Sequence, residues 1–343
     1  MANERRYQLQ SEEANRRVEE LLRTLTVPPE TWRYHAEMLT TVLKMFEDGA
    51  DVGDLKIASA ALKEIRYGFK VFAPYRGIPK VTVFGSARTP TDDSISIQAR
   101  AFGARMVEAG WMVITGAGDG VMSAAQHGAG RERSFGLNIR LPWEQEANPV
   151  IAADPKLINF KYFFIRKLFF LKEADAVCLF PGGFGTSDEA FEVLTLMQTG
   201  KAPLIPVVLL DEPGGQFWKT WEAFISQEML NRGLIAPDDL QLFSLTDDSN
   251  VAAREILDFY RVFHSQRWVG EQLVLRLRRP LTTEALAALE ARFGDILQGR
   301  AEQSPGPLPQ EGDEFPDLPR LVLPPVRTNY GRLRLLIDAV NQD

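Results

Sequence analysis

Cysteine and histidine are scarce: the 343 residues include one cysteine, Cys178, and three histidines, His35, His127 and His264. A single thiol excludes an intramolecular disulfide, and Cys178 sits in an apolar strand-like run, where a thiol is usually inert. The histidines are scattered without the spacing of metal ligands, so no metal site is expected. Positive charge is also in deficit. A formal net charge of −7 argues against non-specific binding to nucleic acid, whose affinity comes from neutralised phosphates, while leaving room for local basic pockets. No apolar run is long enough to span a bilayer, and the opening Met1-Ala2-Asn3-Glu4-Arg5-Arg6 leads into a polar helical pattern rather than a signal-peptide core. The expectation is a soluble, cytoplasmic protein with no membrane partner. Two motifs are missing as well, the Gly-x-Ser-x-Gly elbow and a glycine loop closing on Gly-Lys-Ser/Thr. Together these absences argue against a triad hydrolase, a zinc enzyme and an ordinary NTPase.

What is present is alternation. Residues 11–72 read as three helices, with Pro28-Pro29 separating the first from the second and the third starting at about Val52. Lys80-Val81-Thr82-Val83-Phe84 is then a short apolar strand ended by Gly85-Ser86. From there the patterns predict a helix at 95–109, a strand at 111–115, a helix beginning near Gly120, strands at 135–141 and 156–160, a helix at 162–173, and strands at 176–180 and 204–210. Such alternation signals a parallel sheet covered by helices on both faces. After about Ser265 come an alternating strand at 272–277, a helix at 282–297, a Pro/Glu-rich stretch at 303–319 that reads as an exposed loop, a strand at 320–323 and a helix at 330–340. The expected fold is α/β: a doubly wound, Rossmann-like parallel sheet at 80–264, an N-terminal helical extension at 1–79 and a small C-terminal α+β appendage at 265–343. No internal repeat is visible.

The most informative stretch is Pro181-Gly182-Gly183-Phe184-Gly185-Thr186-Ser187-Asp188-Glu189, which follows an apolar run and opens a helical pattern at 190–198. Strand, glycine turn and helix start bring unpaired amides and the positive end of the helix dipole to one place, and a phosphate is the natural guest. Glu189, read as lying in the first helical turn, would stand beside it. Thr186-x-x-Glu189 is also the pattern of a capping box. A cap, however, needs no glycines before it. Gly85-Ser86-Ala87 and Thr115-Gly116-Ala117-Gly118-Asp119-Gly120 are two further turns that follow apolar strands. A doubly wound sheet binds ligands at the carboxyl ends of its strands. Three such turns point to a nucleotide or sugar phosphate held by Gly85, Ser86, Gly116, Gly118, Gly182, Gly183, Gly185 and Thr186. Finally, Tyr162-Phe163-Phe164-Ile165-Arg166-Lys167-Leu168-Phe169-Phe170 sets two cations in a helix that is apolar on nearly every side. Lys167 has the reach to snorkel to solvent. Arg166 has the planar fork that holds a carboxylate, a phosphate or the edge of a base, or it pairs with an acid such as Glu189 or Asp175.

The 181–189 run, with Arg166-Lys167 on the preceding helix, resembles the signature of the LOG family of nucleoside 5′-monophosphate phosphoribohydrolases, whose members have often carried the label lysine decarboxylase. The similarity extends through 116–125, Gly136-Leu137-Asn138-Ile139-Arg140-Leu141-Pro142 and Leu194-Thr195-Leu196-Met197-Gln198-Thr199-Gly200-Lys201, roughly the central half of the chain. The terminal segments are similar to those of the longer bacterial branch. The resemblance implies hydrolysis of the N-glycosidic bond of AMP or a related nucleotide, cytokinin-type nucleotides included, to free base and ribose 5-phosphate, without a cofactor. It implies that Arg166 and Glu189 are the catalytic pair, that Arg166 and Lys167 meet the base, and that the chain forms a homo-oligomer, dimer or larger. No pyridoxal-phosphate lysine context supports a decarboxylase. Plant-type members follow their Arg-Lys with x-Glu-Met, where this chain has Leu168, Phe169 and Phe170, which weighs against plant-hormone specificity. Asp119 stands where long bacterial members often have proline, and a phosphate would repel it unless it points toward ribose or solvent.

Two other readings remain open. One is a non-catalytic nucleotide-sensing or molybdenum-cofactor-carrier-like protein, since related folds bind phosphorylated ligands without hydrolysing them. The other, a dinucleotide oxidoreductase, needs a glycine fingerprint after the first core strand, and Gly85-Ser86-Ala87-Arg88-Thr89-Pro90 lacks it.

Overall fold

The computed structural model describes residues 7–140, 146–297, 299–312, 314–324 and 329–343. The chain divides into two compact units, Met1–Tyr67 and Gly68–Asp343. The first is helical. Helix α1 (Glu12–Thr24) is capped by Ser11, whose hydroxyl accepts from the Ala14 amide, and it carries Glu12 and Glu13 where they complement the helix dipole. Its buried residues are Val18 and Leu22, and it packs against α2 (Pro29–Glu47). Proline at the first position of α2 removes an N–H that has no intrahelical partner anyway. Helix α3 (Val52–Phe72) begins in this unit and ends in the next.

The second unit is built on seven strands, all parallel: β1 (Lys80–Phe84), β2 (Met112–Thr115), β3 (Ser134–Ile139), β4 (Leu157–Phe160), β5 (Ala176–Leu179), β6 (Val207–Leu210) and β7 (Ser244–Thr246). Helices α4 (Ser94–Glu108), α5 (Val121–Ala129), α6 (Phe163–Lys172), α7 (Phe184–Gln198) and α8 (Phe217–Phe224) lie between them in the chain, and α9 (Ser249–Phe259) follows β7. The spatial order is β4-β3-β2-β1-β5-β6-β7, so the winding reverses between β1 and β5. Strands β1, β2, β5 and β6 are buried along their whole length, which is why they read as unbroken apolar runs rather than alternating ones.

Alternate residues of β1 serve the two faces. Val81 and Val83 join Phe102 and Met106 of α4, Ala125 of α5, Ile256 of α9 and Cys178 in one apolar layer. Burial drives the Cys178 thiol well above its ordinary pKa, so it is packing material. Thr82 donates to the Phe170 carbonyl at 2.8 Å and Phe84 meets the Phe170 ring at 4.8 Å, which seats α6 on the other face. That face is aromatic: Phe72 stacks on Phe135 at 4.4 Å, and Phe169 lies 5.9 Å from Phe72 and 5.6 Å from Phe160.

The unit continues with β8 (Phe263–Val269), β9 (Gln272–Leu277), α10 (Thr283–Phe293), β10 (Glu302–Ser304), β11 (Arg320–Leu323) and α11 (Tyr330–Val340). The strands form an antiparallel sheet in the order β10-β11-β9-β8. Behind it lies an ion cluster: Glu311, with no exposed side-chain surface, accepts from Arg320 Nε at 3.1 Å and from Arg276 Nη2 at 3.2 Å. Gly200, at the C-terminal end of α7, has φ +68°, and a Cβ there would overlap the Tyr330 ring of α11.

The expected α/β sheet with helices on both faces is present, and β1, β9, β11 and α11 have the predicted limits. Three strands escaped notice. β7 and β10 are three residues long, and β8 mixes His264, Gln266 and Arg267 with apolar neighbours. The stretch 303–319 is not simply an exposed loop, because β10 pairs with β11 and Glu311 is buried. Leu141, the predicted end of the third strand, lies outside the described residues.

Candidate active site

The reversal between β1 and β5 opens a crevice at the carboxyl ends of the strands, where doubly wound sheets bind ligands. The cleft there has a volume of about 730 Å³, within the range of small-molecule sites. All three glycine turns reach it: Gly85 and Ser86 after β1, Gly116 and Gly118 after β2, and Gly182, Gly183, Gly185 and Thr186 after β5. Backbone bonds tie the turns together. The Ser86 amide donates to the Pro181 carbonyl at 3.2 Å, and the Val121 amide donates to the Ser86 carbonyl at 3.0 Å. Buried Asn148, which sequence reasoning missed, holds the second turn by donating to the carbonyls of Ala117 (3.1 Å) and Gly118 (2.9 Å) and to Gln126 Oε1 (2.7 Å).

Helix α7 starts earlier than its sequence suggests. Gly183 is the N-cap and makes no side-chain cap bond, which places Thr186 at the third helical position and Glu189 at the sixth. Glu189 therefore sits in the second turn, and the Thr186/Glu189 capping box does not form. The first amides of α7 lack intrahelical acceptors and belong to the cleft wall. A Cβ on Gly183 or Gly185 would meet nothing within 4 Å, so both face open space, whereas a Cβ on Gly182 would overlap Thr186 Oγ1 and come 3.1 Å from the Ser86 amide.

Glu189 is 5% exposed and lines the cleft. Burial pushes its carboxyl up to about 7, against the opposing fields of Lys167 and Arg166, and Glu192 and Asp188 add to the rise. Arg166 also lines the cleft, with its guanidinium carbon 5.0 Å from the Phe163 ring and 5.3 Å from the Phe170 ring. Burial lowers its pKa, while Glu189 and Asp188 work against that. Its Nε is buried without a hydrogen-bond partner, and among the described residues no carboxylate comes within 4.0 Å of it. Neither expected pairing occurs, since Asp175 instead accepts from the Lys80 amide at 2.9 Å.

Lys167 is held by acids rather than snorkelling to solvent. Its Nζ lies 2.7 Å from Glu192, 2.8 Å from Asp188 and 3.8 Å from Glu189, and its side chain is 15% exposed. Burial works to lower its pKa, but the hydrogen bonds to Asp188 and Glu192 outweigh it and leave the pKa raised. It lines a neighbouring cavity, so the structure does not bring it to the cleft with the other predicted residues.

Arg88, Asn138, Phe184 and Ser187 line the cleft without having been predicted. Phe184 and Ser187 lay inside the glycine motif and Asn138 in the 136–142 stretch; nothing in the sequence signalled Arg88. Asp119 is exposed and is not part of the wall. Among the described residues no group of three or more His, Cys, Asp or Glu is placed to hold a metal ion, and no helix is long and apolar enough to cross a membrane.

None of the curated protein sequences is significantly similar to this chain. Solved structures to which it is similar include the molybdenum cofactor carrier protein of Chlamydomonas reinhardtii (22% identity over 52% of this chain and 96% of that one, TM-score 0.37). The molybdenum cofactor binding protein of Rippkaea orientalis (18%, 52% and 96%, TM-score 0.39) and DNA processing protein A of Helicobacter pylori (17%, 52% and 80%, TM-score 0.36) are also similar. Residues 119–256, which carry both Arg166 and Glu189, match the family described as "Possible lysine decarboxylase", in agreement with the LOG resemblance seen in the sequence.

Proposed function

We propose that this chain is a nucleoside 5′-monophosphate phosphoribohydrolase, which hydrolyses AMP or a related purine nucleotide to free base and ribose 5-phosphate. The observation that carries this reading is a buried carboxylate, Glu189, one helical turn beyond the glycines of an open-faced cradle at a helix N-terminus. The amides at 183–186 take the phosphate, with the dipole of α7 behind them. That fixes the ribose near Glu189. As the bond from the anomeric carbon to the base breaks, its electron pair leaves with the base nitrogen and positive charge grows on the ribose. The ionised carboxylate stabilises that charge and takes a proton from the incoming water, whose oxygen bonds to the anomeric carbon. A carboxyl pKa of about 7 suits a group that must accept a proton and return it near neutrality. Arg166, with donors not committed to an acid, contacts the base and favours its departure as an anion.

A cytoplasmic location and a homo-oligomer belong to the same reading, the oligomer supported by exposed Phe184 on the cleft wall and exposed Phe163 and Phe164 on α6. The test is incubation of the wild type and Glu189→Gln with a panel of nucleoside 5′-monophosphates, followed by chromatography for free base and ribose 5-phosphate. Release by the wild type alone is expected. Nucleotide binding without release by either protein would overturn hydrolysis in favour of a non-catalytic nucleotide-binding role.

A further inference from the structure

The second glycine turn is held from behind in a way that fixes where its amides point. Ala117 has φ +62° and no exposed surface, a left-handed conformation that a residue with a Cβ avoids unless its surroundings impose it. Asn148 imposes it. Its backbone amide donates to the Ala117 carbonyl at 2.9 Å, and its side-chain Nδ2 shares its hydrogens between the carbonyls of Ala117 and Gly118 and a third acceptor, Gln126 Oε1. The side chain is not reversible. Its Oδ1 accepts from the Val150 amide at 3.2 Å, and Gln126 is itself fixed by donating to the Phe135 carbonyl at 3.0 Å. In a trans peptide the C=O and the next N–H point opposite ways, and no peptide among the described residues is cis. With the carbonyls of Ala117 and Gly118 turned back to Asn148, the amides of Gly118 and Asp119 face away from it. That is the cleft side, since Gly116 and Gly118 line the cleft and Asn148 does not. Neither amide has a hydrogen-bond acceptor among the described residues. The turn follows β2, two strand spacings of about 4.8 Å from the cradle after β5. A Cβ on Gly116 would come 3.9 Å from Arg166 Nη1. A nucleotide with its phosphate in the cradle would thus bring its base between Arg166 and this turn.

We propose that Asn148 is a positioning residue for base release: by clamping Ala117 it aims the Gly118 and Asp119 amides at the base, which gains negative charge as its bond to ribose breaks. The inference rests on the proposed hydrolysis. In that step the electron pair of the bond from the anomeric carbon goes to the base nitrogen, the oxygen of water takes its place on the carbon, and the proton of that water passes through Glu189 to the base. Until the proton arrives the base is an anion, and backbone donors already in place stabilise it without reorganising. The neutral base of the bound nucleotide gains much less from them.

The test compares AMP with 4-nitrophenyl β-D-ribofuranoside 5-phosphate, whose nitrophenolate spreads its own charge and needs little help in leaving. In Asn148→Ala, kcat for AMP should fall about tenfold, less than outright loss of such a donor costs, with KM held within about twofold. The nitrophenyl substrate should keep its kcat within about twofold. The ratio of the two rates in one preparation does not depend on how much of the protein is folded. Gln126→Met, which removes only the acceptor beside Asn148, should shift that ratio the same way by a smaller factor. Adding Ala117→Gly to Asn148→Ala should recover about threefold in the AMP rate, because glycine takes the left-handed conformation freely. Equal losses on both substrates, no loss on AMP, or a double variant no faster than Asn148→Ala would overturn the inference. Release of neither adenine nor nitrophenolate by the wild type would instead overturn the hydrolysis, and the inference with it.

Discussion

The Lys167 ammonium stands 3.8 Å from Glu189 Oε2, closer to that carboxylate than any nitrogen of Arg166. The cation nearest the candidate catalytic acid is thus not its expected partner, and it is shared with Asp188 and Glu192. A divided field does not offset burial. The carboxyl of Glu189 accordingly titrates at about 7.

Base release should therefore rise with pH through about 7 and level off above it, as Glu189 becomes the ionised group that stabilises the developing charge. Lys167→Met removes the nearest positive charge, so the inflection should move to higher pH and the rate at neutrality should fall. Initial rates of adenine release across the pH range decide this. An inflection that does not move would uncouple Lys167 from Glu189.

The same carboxyl affects stability in a direction fixed by its sign. Its folded pKa is raised from 4.5 to about 7, so its contribution is fully present below 4.5 and is lost as pH rises through about 7. Glu189→Gln keeps the shape without the ionisation. Denaturant midpoints should show wild type and variant converging in acid, with the variant ahead by about 2 kcal/mol above pH 8, a value discounted from the full shift.

Two glycines of the cradle should respond differently to alanine. At Gly182 a Cβ overlaps Thr186, so Gly182→Ala should lower stability by about 1–3 kcal/mol, as overpacking does. At Gly183 a Cβ enters open space. Gly183→Ala should melt with the wild type, yet bind AMP about tenfold more weakly because the methyl group occupies the phosphate's approach. Parallel thermal melts and AMP titrations check both.

In the C-terminal sheet, Glu311→Gln should lower stability by about 3–5 kcal/mol, because it leaves the buried guanidinium of Arg320 without a carboxylate and that of Arg276 with the exposed Glu314 alone. Burial works to raise the Glu311 pKa, but the Leu308 amide and Arg320 outweigh it and hold the group below 4.5. The wild type should therefore lose stability as pH falls below about 4.5, and the variant should lack that step. Urea denaturation at neutral and acid pH measures both effects.

How much of this was legible follows from what each segment must satisfy. Strands buried on both faces are apolar from end to end, so β1, β5 and β6 announced themselves; β7, at the sheet edge, is three half-buried residues and did not. The glycine turns were visible because the glycines that form them also mark them in the sequence. The start of α7 was not, because Thr186-x-x-Glu189 imitates a cap that the backbone makes three residues earlier with Gly183. The fate of Lys167 depends on which face of α7 meets α6, a tertiary fact. Even so, acids at 188, 189 and 192 share one helical face, and that spacing was a signal that went unused.

Helix α7 carries the glycine turn proposed to hold phosphate at its start and, 15 residues later, ends at the Gly200 notch that admits Tyr330. A helix of that length is a stiff rod of about 22 Å. A bulkier residue at 200, or a changed ring at 330, would tilt this rod from its far end and shift the cradle without touching it. Tolerance to change near Tyr330 is therefore a question of aim at the cleft as well as of packing in the tail.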